Sequence, residues 1–122
     1  MSGNVRDFRD LEVWQIARRL AVEVCKATRA FPSEERFAMG SQVRRAAVSI
    51  VANIAEGAGR QRTAEYCHHL SIAQGSAAEL RALIIICVDL EYLASVQADS
   101  FHANLDSTGR MLTALLRSLR DK

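Results

Sequence analysis

Apolar positions recur along this chain at helical spacing in four separate segments. In the first, from about 10 to 30, Leu11, Trp14, Ala17, Ala21, Val24, Cys25 and Thr28 share one stripe, while Glu12, Gln15, Arg19, Glu23 and Lys26 lie off it. A stripe repeating every 3.6 residues predicts an amphipathic helix. Phe31–Pro32 stops it, and Ser33 offers an N-cap ahead of Glu34 and Glu35, acids favoured at the positive end of a helix dipole. The second helix is predicted over about 34–57, kinked or broken near Gly40–Ser41 and ended by Gly57 and Gly59. A basic turn, Arg60–Gln61–Arg62, follows. Thr63 can cap a third helix over 63–93, roughly 45 Å long at about 1.5 Å per residue. After Ala94–Ser95, a fourth helix over 96–120 carries Phe101, Leu105, Thr108, Leu112, Leu115 and Leu119 at alternating spacings of four and three, the seam of a bundle.

Four helices joined by short connections predict an all-α, antiparallel, up-down-up-down four-helix bundle, a single domain over 1–122. Strand-like alternation is absent, and Pro 1 with Gly 6 leaves little material for the turns of a β fold. The third helix departs from a simple bundle. Ala82 to Val88 is apolar around the whole helix, where a surface helix keeps one wet face. Upstream, Gly75, Ser76, Ala77 and Ala78 are small enough to admit another helix closely. Burial by its own three neighbours would explain this. A homo-oligomer interface through Leu83, Ile84, Ile85, Ile86 and Val88 is the sharper expectation, because monomers avoid exposed patches of that kind.

The second helix departs too. Gln42, Arg45, Ser49, Asn53 and Glu56 form a polar stripe beside the core face of Val43, Ala47, Ile50 and Ile54. A hairpin turning near Gln61 sets Arg45 level with Ala77, within reach of Ser76 and Glu79, and Glu56 level with Tyr66. An Arg45–Glu79 ion pair is expected at the core edge, with Asn53 and Glu56 bonded into the facing helix. Such groups at a helix interface satisfy one another and fix register; direct contact with a ligand is their alternative use.

Composition narrows the class. Hydrophobic content of 49% and charged content of 25% are ordinary for a folded domain. The longest apolar run, Ala82 to Val88, is too short to span a bilayer, and no secretory leader is visible, so a cytoplasmic protein without membrane partners is expected. Cys25, Cys67 and Cys87 are odd in number and far apart, which favours reduced thiols acting as small hydrophobes over disulfides or a zinc cluster. Net charge is only +2, yet residues 1–62 carry 11 Lys/Arg against 7 Asp/Glu, and residues 63–94 carry 1 against 4. Arg supplies 14 of the 16 basic residues and suits phosphate. Arg18, Arg19, Arg44, Arg60, Arg62, Arg110, Arg117 and Arg120 are the candidate nucleic-acid contacts. Few aromatics argue against a base-stacking platform, and an oligomer would repeat the Arg set about its axis.

Catalytic chemistry finds no foothold. Carboxylate-bridged di-metal bundles need Glu-x-x-His on two helices at one level. Here Glu65-x-x-His68 and Asp99-x-x-His102 begin consecutive antiparallel helices, at opposite ends of the bundle. His68 and His69 point about 100° apart, one inward and one to solvent, with no nucleophile at helical spacing. Gly57-Ala58-Gly59-Arg60 ends a helix and follows no strand, so it is not a nucleotide loop. No enzyme activity, metal or cofactor is expected.

Several stretches, DLEVW at 10–14, FPSEERF at 31–37, SQVRRAAVSIVANIAEG at 41–57, IAQGSAAEL at 72–80 and LEYL at 90–93, resemble one family. It is the bacterial four-helix-bundle family named for reading frames inside intervening sequences of 23S ribosomal RNA genes. The resemblance implies a small homopentameric bundle without established activity. A related branch, the accessory variability proteins of diversity-generating retroelements, uses a basic pentamer to bind a reverse transcriptase and nucleic acid, which makes RNA or a nucleic-acid-processing protein the implied partner. A protein–protein scaffold that touches no nucleic acid is the competing reading. The family positions on this chain are Gln42, Arg44, Arg45, Ser49, Asn53, Glu56, Ser76 and Glu79. Val51 stands where many relatives carry proline, which softens any kink there, and the near-neutral charge departs from a strongly basic accessory protein.

Overall fold

A computed structural model describes residues 7–121; residues 1–6 and Lys122 of the predicted domain lie outside them. A 3-10 turn, Phe8–Asp10, leads into α1 (Glu12–Ala27), which a second 3-10 turn, Thr28–Ala30, prolongs. Then come α2 (Met39–Ala58), α3 (Thr63–Asp89) and α4 (Ser95–Arg120), with no strand among the described residues. α1 packs on α2 and α4, and α3 packs on α2 and α4, while the backbones of the diagonal pairs stay farther apart and share only the core, as in a four-helix bundle. Partner numbers descend across α2 and α3 (Ser49 with Ser76, Asn53 with His69) and across α3 and α4 (Gln74 with Thr113, Arg81 with Asp106). Each of those pairs of helices is therefore antiparallel.

The core is aliphatic and follows the predicted stripes. Leu20 and Val24 of α1 meet Val43, Ala47, Ile50 and Ile54 of α2, Leu70, Leu80, Ile84 and Cys87 of α3, and Leu105 and Leu112 of α4. Fully burying one such aliphatic side chain is worth about 1.5–3 kcal/mol. Along α4 the seam shifts: Leu116 is buried where Leu115 was expected, and Leu115 and Leu119 are half-buried. The buried Thr108 hydroxyl is satisfied by the Asn104 carbonyl at 2.8 Å.

Two predicted boundaries and one predicted cap move. α2 starts at Met39 rather than near Glu34, because residues 33–38 fold as turns. The Glu35 carbonyl accepts from the Ala38 and Gly40 amides, and Ala38 takes a non-helical conformation. Gly40 thus lies in the first turn of α2 and breaks nothing, and the helix runs unkinked in its hydrogen bonding through Val51. Arg62, not Thr63, is the N-cap of α3, and no side-chain cap bond forms there. α3 ends at Asp89 rather than Leu93: Glu91 adopts φ 64°, and the Tyr92 amide returns to the Cys87 carbonyl at 2.8 Å.

α3 is also, among the described residues, the one helix whose length and composition would suit a membrane crossing. One side of it lies in the core. Leu83 and Ile84, expected at an oligomer interface, are 8% and 0% exposed, so the protomer itself covers them. Ile85 and Ile86 are 50% and 42% exposed, and Val88 is half-buried.

Candidate functional site

A polar seam runs between α2 and α3 above the aliphatic floor. The Ser49 and Ser76 hydroxyls are 2.8 Å apart. Asn53 Nδ2 donates to the Ser49 carbonyl at 2.9 Å and lies 3.2 Å from its hydroxyl. Asn53 Oδ1 is 3.0 Å from His69 Nδ1. Because the Asn53 nitrogen is committed to Ser49, its oxygen accepts and the imidazole donates. The chain of contacts continues outward: His69 Nε2 is 3.8 Å from a Glu56 carboxylate oxygen, which Arg60 meets at 2.9 Å. Four-residue helical spacing puts Ser49, Asn53 and Glu56–Arg60 on one side of α2 and its C-terminal turn, facing the first half of α3.

His69 is the member that sequence reasoning missed, although the register expected for the hairpin already set residue 69 opposite residue 53. Its side chain is 15% exposed, while neighbouring His68 faces solvent. Glu56 was expected to reach the facing helix by itself; its shortest contact is instead the local one to Arg60.

Arg45 and Glu79 form no ion pair with each other. Together with Gln42, Ala46 and Ser49 they line an open cleft of about 490 Å³ between α2 and α3. Neither side chain makes a hydrogen bond or ion pair with any other described residue. The register was right and the reach was not: both side chains are exposed and flank the cleft.

The two sides of the bundle differ in character. On α1, five of the six exposed residues are charged: Glu12, Arg18, Arg19, Glu23 and Lys26. On α2 and α3 half of the exposed positions are apolar or glycine, among them Val48, Ala52, Ile72, Gly75, Ala78, Ala82, Ile85 and Ile86, and Gln42, Thr63, His68 and Ser71 are polar without a fixed charge. The charges between them are few, chiefly Arg45, Glu56 and Glu79, with Glu65 and Asp89 near the ends of α3.

The candidate arginines separate by what they already hold. Arg44 is spent inside the protomer, donating to the buried Thr28 hydroxyl at 3.0 Å and to the Arg36 carbonyl at 2.9 Å; as a nucleic-acid contact it is withdrawn. Arg60 is paired with Glu56. Arg18 lies over the Trp14 ring at 5.4 Å and, with Arg19, borders a groove that reaches Asn104 of α4. Arg110 and Arg117 border a larger groove of about 560 Å³ between α3 and α4, floored by Ala77, Ala78 and Gly109. Arg81, in the same groove, is taken by Asp106 and His102. Arg62 and Arg120 are exposed, and Arg120 lines a groove with Thr63, next in chain to Arg62.

Glu65 and His68 lie at the start of α3, whereas Asp99 and His102 lie by the far end of that helix, beside Ile85 and Asp89. No group of three or more His, Cys, Asp or Glu that could hold a metal ion occurs among the described residues. Cys25, Cys67 and Cys87 are free; burial pushes the Cys87 thiol up to about 11.

Comparison with known proteins follows the same outline. A family model described as 23S rRNA-intervening sequence protein matches residues 9–114. The crystal structure of a protein of unknown function from the S23 ribosomal protein family of Bacteroides thetaiotaomicron superposes with a TM-score of 0.79. It shares 25% sequence identity over 85% of this chain and 97% of that one. No curated protein matches.

Proposed function

The chain belongs to the 23S rRNA-intervening sequence protein family, and from that premise we propose that it is a non-enzymatic, homo-oligomeric binding protein of the cytoplasm, whose copies meet through the outer face of α2 and α3 and whose arginines take RNA phosphates. One observation carries the reading: α2 and α3 expose a set of large aliphatic side chains, Val48, Ile72, Ile85 and Ile86, while five of the six exposed residues of α1 are charged. Water tolerates the charged side indefinitely, whereas Ile72, Ile85, Ile86 and Val48 gain by leaving it. A homopentamer is the assembly that the family resemblance implies.

With the apolar side turned to other copies, Arg18, Arg19, Arg110 and Arg117 stay on the outside, and an assembly repeats them. Guanidinium groups suit phosphate oxygens, and repetition multiplies a contact that one protomer makes weakly. Nothing at the α2–α3 seam pairs a nucleophile with a base, which supports binding over catalysis.

The test is a fluorescence-anisotropy titration of the purified protein against structured and single-stranded RNA at two salt concentrations. With about four phosphates neutralised on a single strand, a fourfold rise in salt weakens binding roughly fiftyfold through counterion release. Binding that ignores salt, or none at low salt, contradicts the RNA reading and leaves a protein–protein scaffold in its place.

A further inference from the structure

Arg45 and Glu79 stand on the same outward face, at the rim of one cleft, and neither is used within the protomer. The charges nearest in sequence are committed: Arg44 to Thr28 and Arg36, and Arg81 to His102 and Asp106. The rest of the cleft's lining, Gln42, Ala46 and Ser49, holds no charge, and the Ser49 hydroxyl is already engaged with Ser76 and Asn53. Exposed Val48, Ala52, Ile72, Gly75 and Ala82 on the same two helices are apolar or small. A Cβ added at Gly75 would meet nothing within 4 Å, so the protomer leaves open space beside Glu79. In the free protomer, water solvates both charged groups. Once an apolar surface covers that face, each loses its water and needs an opposite charge.

We propose that the covering surface is a second copy of this chain, and that Arg45 of one copy pairs with the partner's Glu79. This rests on the reading that copies meet through the α2–α3 face. The argument is charge complementarity. The face carries one cation and one anion beside its centre, so an identical face brings the missing opposite for each. A partner of different chemistry would have to present its own acid and base at that same spacing. The pairing does more than hold the copies together. Apolar surfaces slide over one another at little cost, whereas a desolvated ion pair is satisfied in one register only, so Arg45 and Glu79 set the alignment of the assembly.

The experiment is sedimentation velocity on the purified chain and on Arg45→Glu, Glu79→Arg, the double reversal, and an equimolar mixture of the two single variants. Circular dichroism confirms folding in each case, which both exposed positions permit. Each single variant is expected to weaken assembly tenfold or more, the low end of the coupling between close charge pairs across an interface. The double reversal recovers assembly, and the mixture recovers in part, because each contact between unlike variants restores the pair while a five-membered ring cannot alternate the two throughout. Recovery on mixing is the decisive result, since a pair within one protomer cannot produce it. Single variants that assemble like the parent, or a mixture that assembles no better than either variant alone, overturn the Arg45–Glu79 pairing while leaving the α2–α3 interface standing. A parent chain that stays monomeric overturns the interface itself.

Discussion

The Asn53 carboxamide ties the middle of α2 to the second turn of α3 by taking His69 Nδ1 on its oxygen at 3.0 Å. Its nitrogen is already given to the Ser49 carbonyl at 2.9 Å, so the amide cannot flip without losing both contacts. Asn53→Ala leaves a half-buried imidazole donor without a partner, which costs about 1–3 kcal/mol. His69→Ala is expected to cost a similar amount. A double-mutant cycle by urea unfolding should return a coupling of about 0.5–3 kcal/mol between them; strictly additive losses would remove this bond from the account.

Arg44 gives a prediction that separates structure from binding. Its guanidinium clamps Thr28 at the end of α1 to the Arg36 carbonyl in the turn before α2. Arg44→Ala should lower stability by about 1.5–3 kcal/mol and leave RNA affinity unchanged. Arg44→Lys recovers little, because an ammonium lacks the two-pronged geometry. Arg19→Ala, at an exposed position in the α1–α4 groove, should behave the opposite way, holding its melting temperature and losing affinity.

Three helical glycines should respond to alanine with different signs. At Gly57 a new Cβ would stand 3.0 Å from the His69 Cβ and 3.2 Å from the Tyr66 carbonyl, so α2 and α3 must separate. Overpacking of that kind costs about 1–3 kcal/mol, more than the helix propensity gained. At Gly75 and Gly109 nothing lies within 4 Å, and each alanine should stabilise the protomer by up to about 1 kcal/mol. Thermal melts of the three variants check both signs.

Stability should also fall in alkali through Cys87. Burial among core side chains raises its thiol from an ordinary 9.0 to about 11. The folded state thus keeps a proton that the unfolded chain releases. The stabilisation is fully present below pH 9 and is lost as pH rises toward 11, by about 2–3 kcal/mol. Denaturant midpoints measured across that window should decline less steeply in Cys87→Ala than in the parent. An equal slope would mean that the thiol is not the cause. Half-buried Tyr66, also pushed up by desolvation, contributes in the same direction at still higher pH.

The periodicity made the helices and their core faces legible, because Val43, Ala47, Ile50 and Ile54 recur at spacings that only a helix turns to one side. The register of the α2–α3 hairpin was legible as well, since the tight turn at Gly59 to Arg62 leaves little freedom in which residues come level. Ends were not. Ser33 with two glutamates reads as a helix start, yet residues 33–38 fold as turns in which the Glu35 carbonyl takes the Ala38 and Gly40 amides. The stop at Glu91 lacks the glycine that usually marks a left-handed cap, so no residue signalled it. The all-round apolarity of α3 said that both sides were covered without saying by what. Burial assigns Leu83 and Ile84 to the protomer and leaves Ile85 and Ile86 outside. Which arginines are spent depends on tertiary contacts such as Arg44 with Thr28, and no spacing in the chain encodes those.

The central claim is that the small, apolar face of α2 and α3 meets other copies of the chain. Sedimentation velocity on the unmodified protein, from low micromolar to about 100 μM, tests it most directly, because even a weak interface with a Kd of tens of micromolar assembles in that range. The account predicts that by the highest concentration the boundary settles at one closed species, a fixed multiple of 13.5 kDa. A boundary that remains at 13.5 kDa at the highest concentration would contradict it.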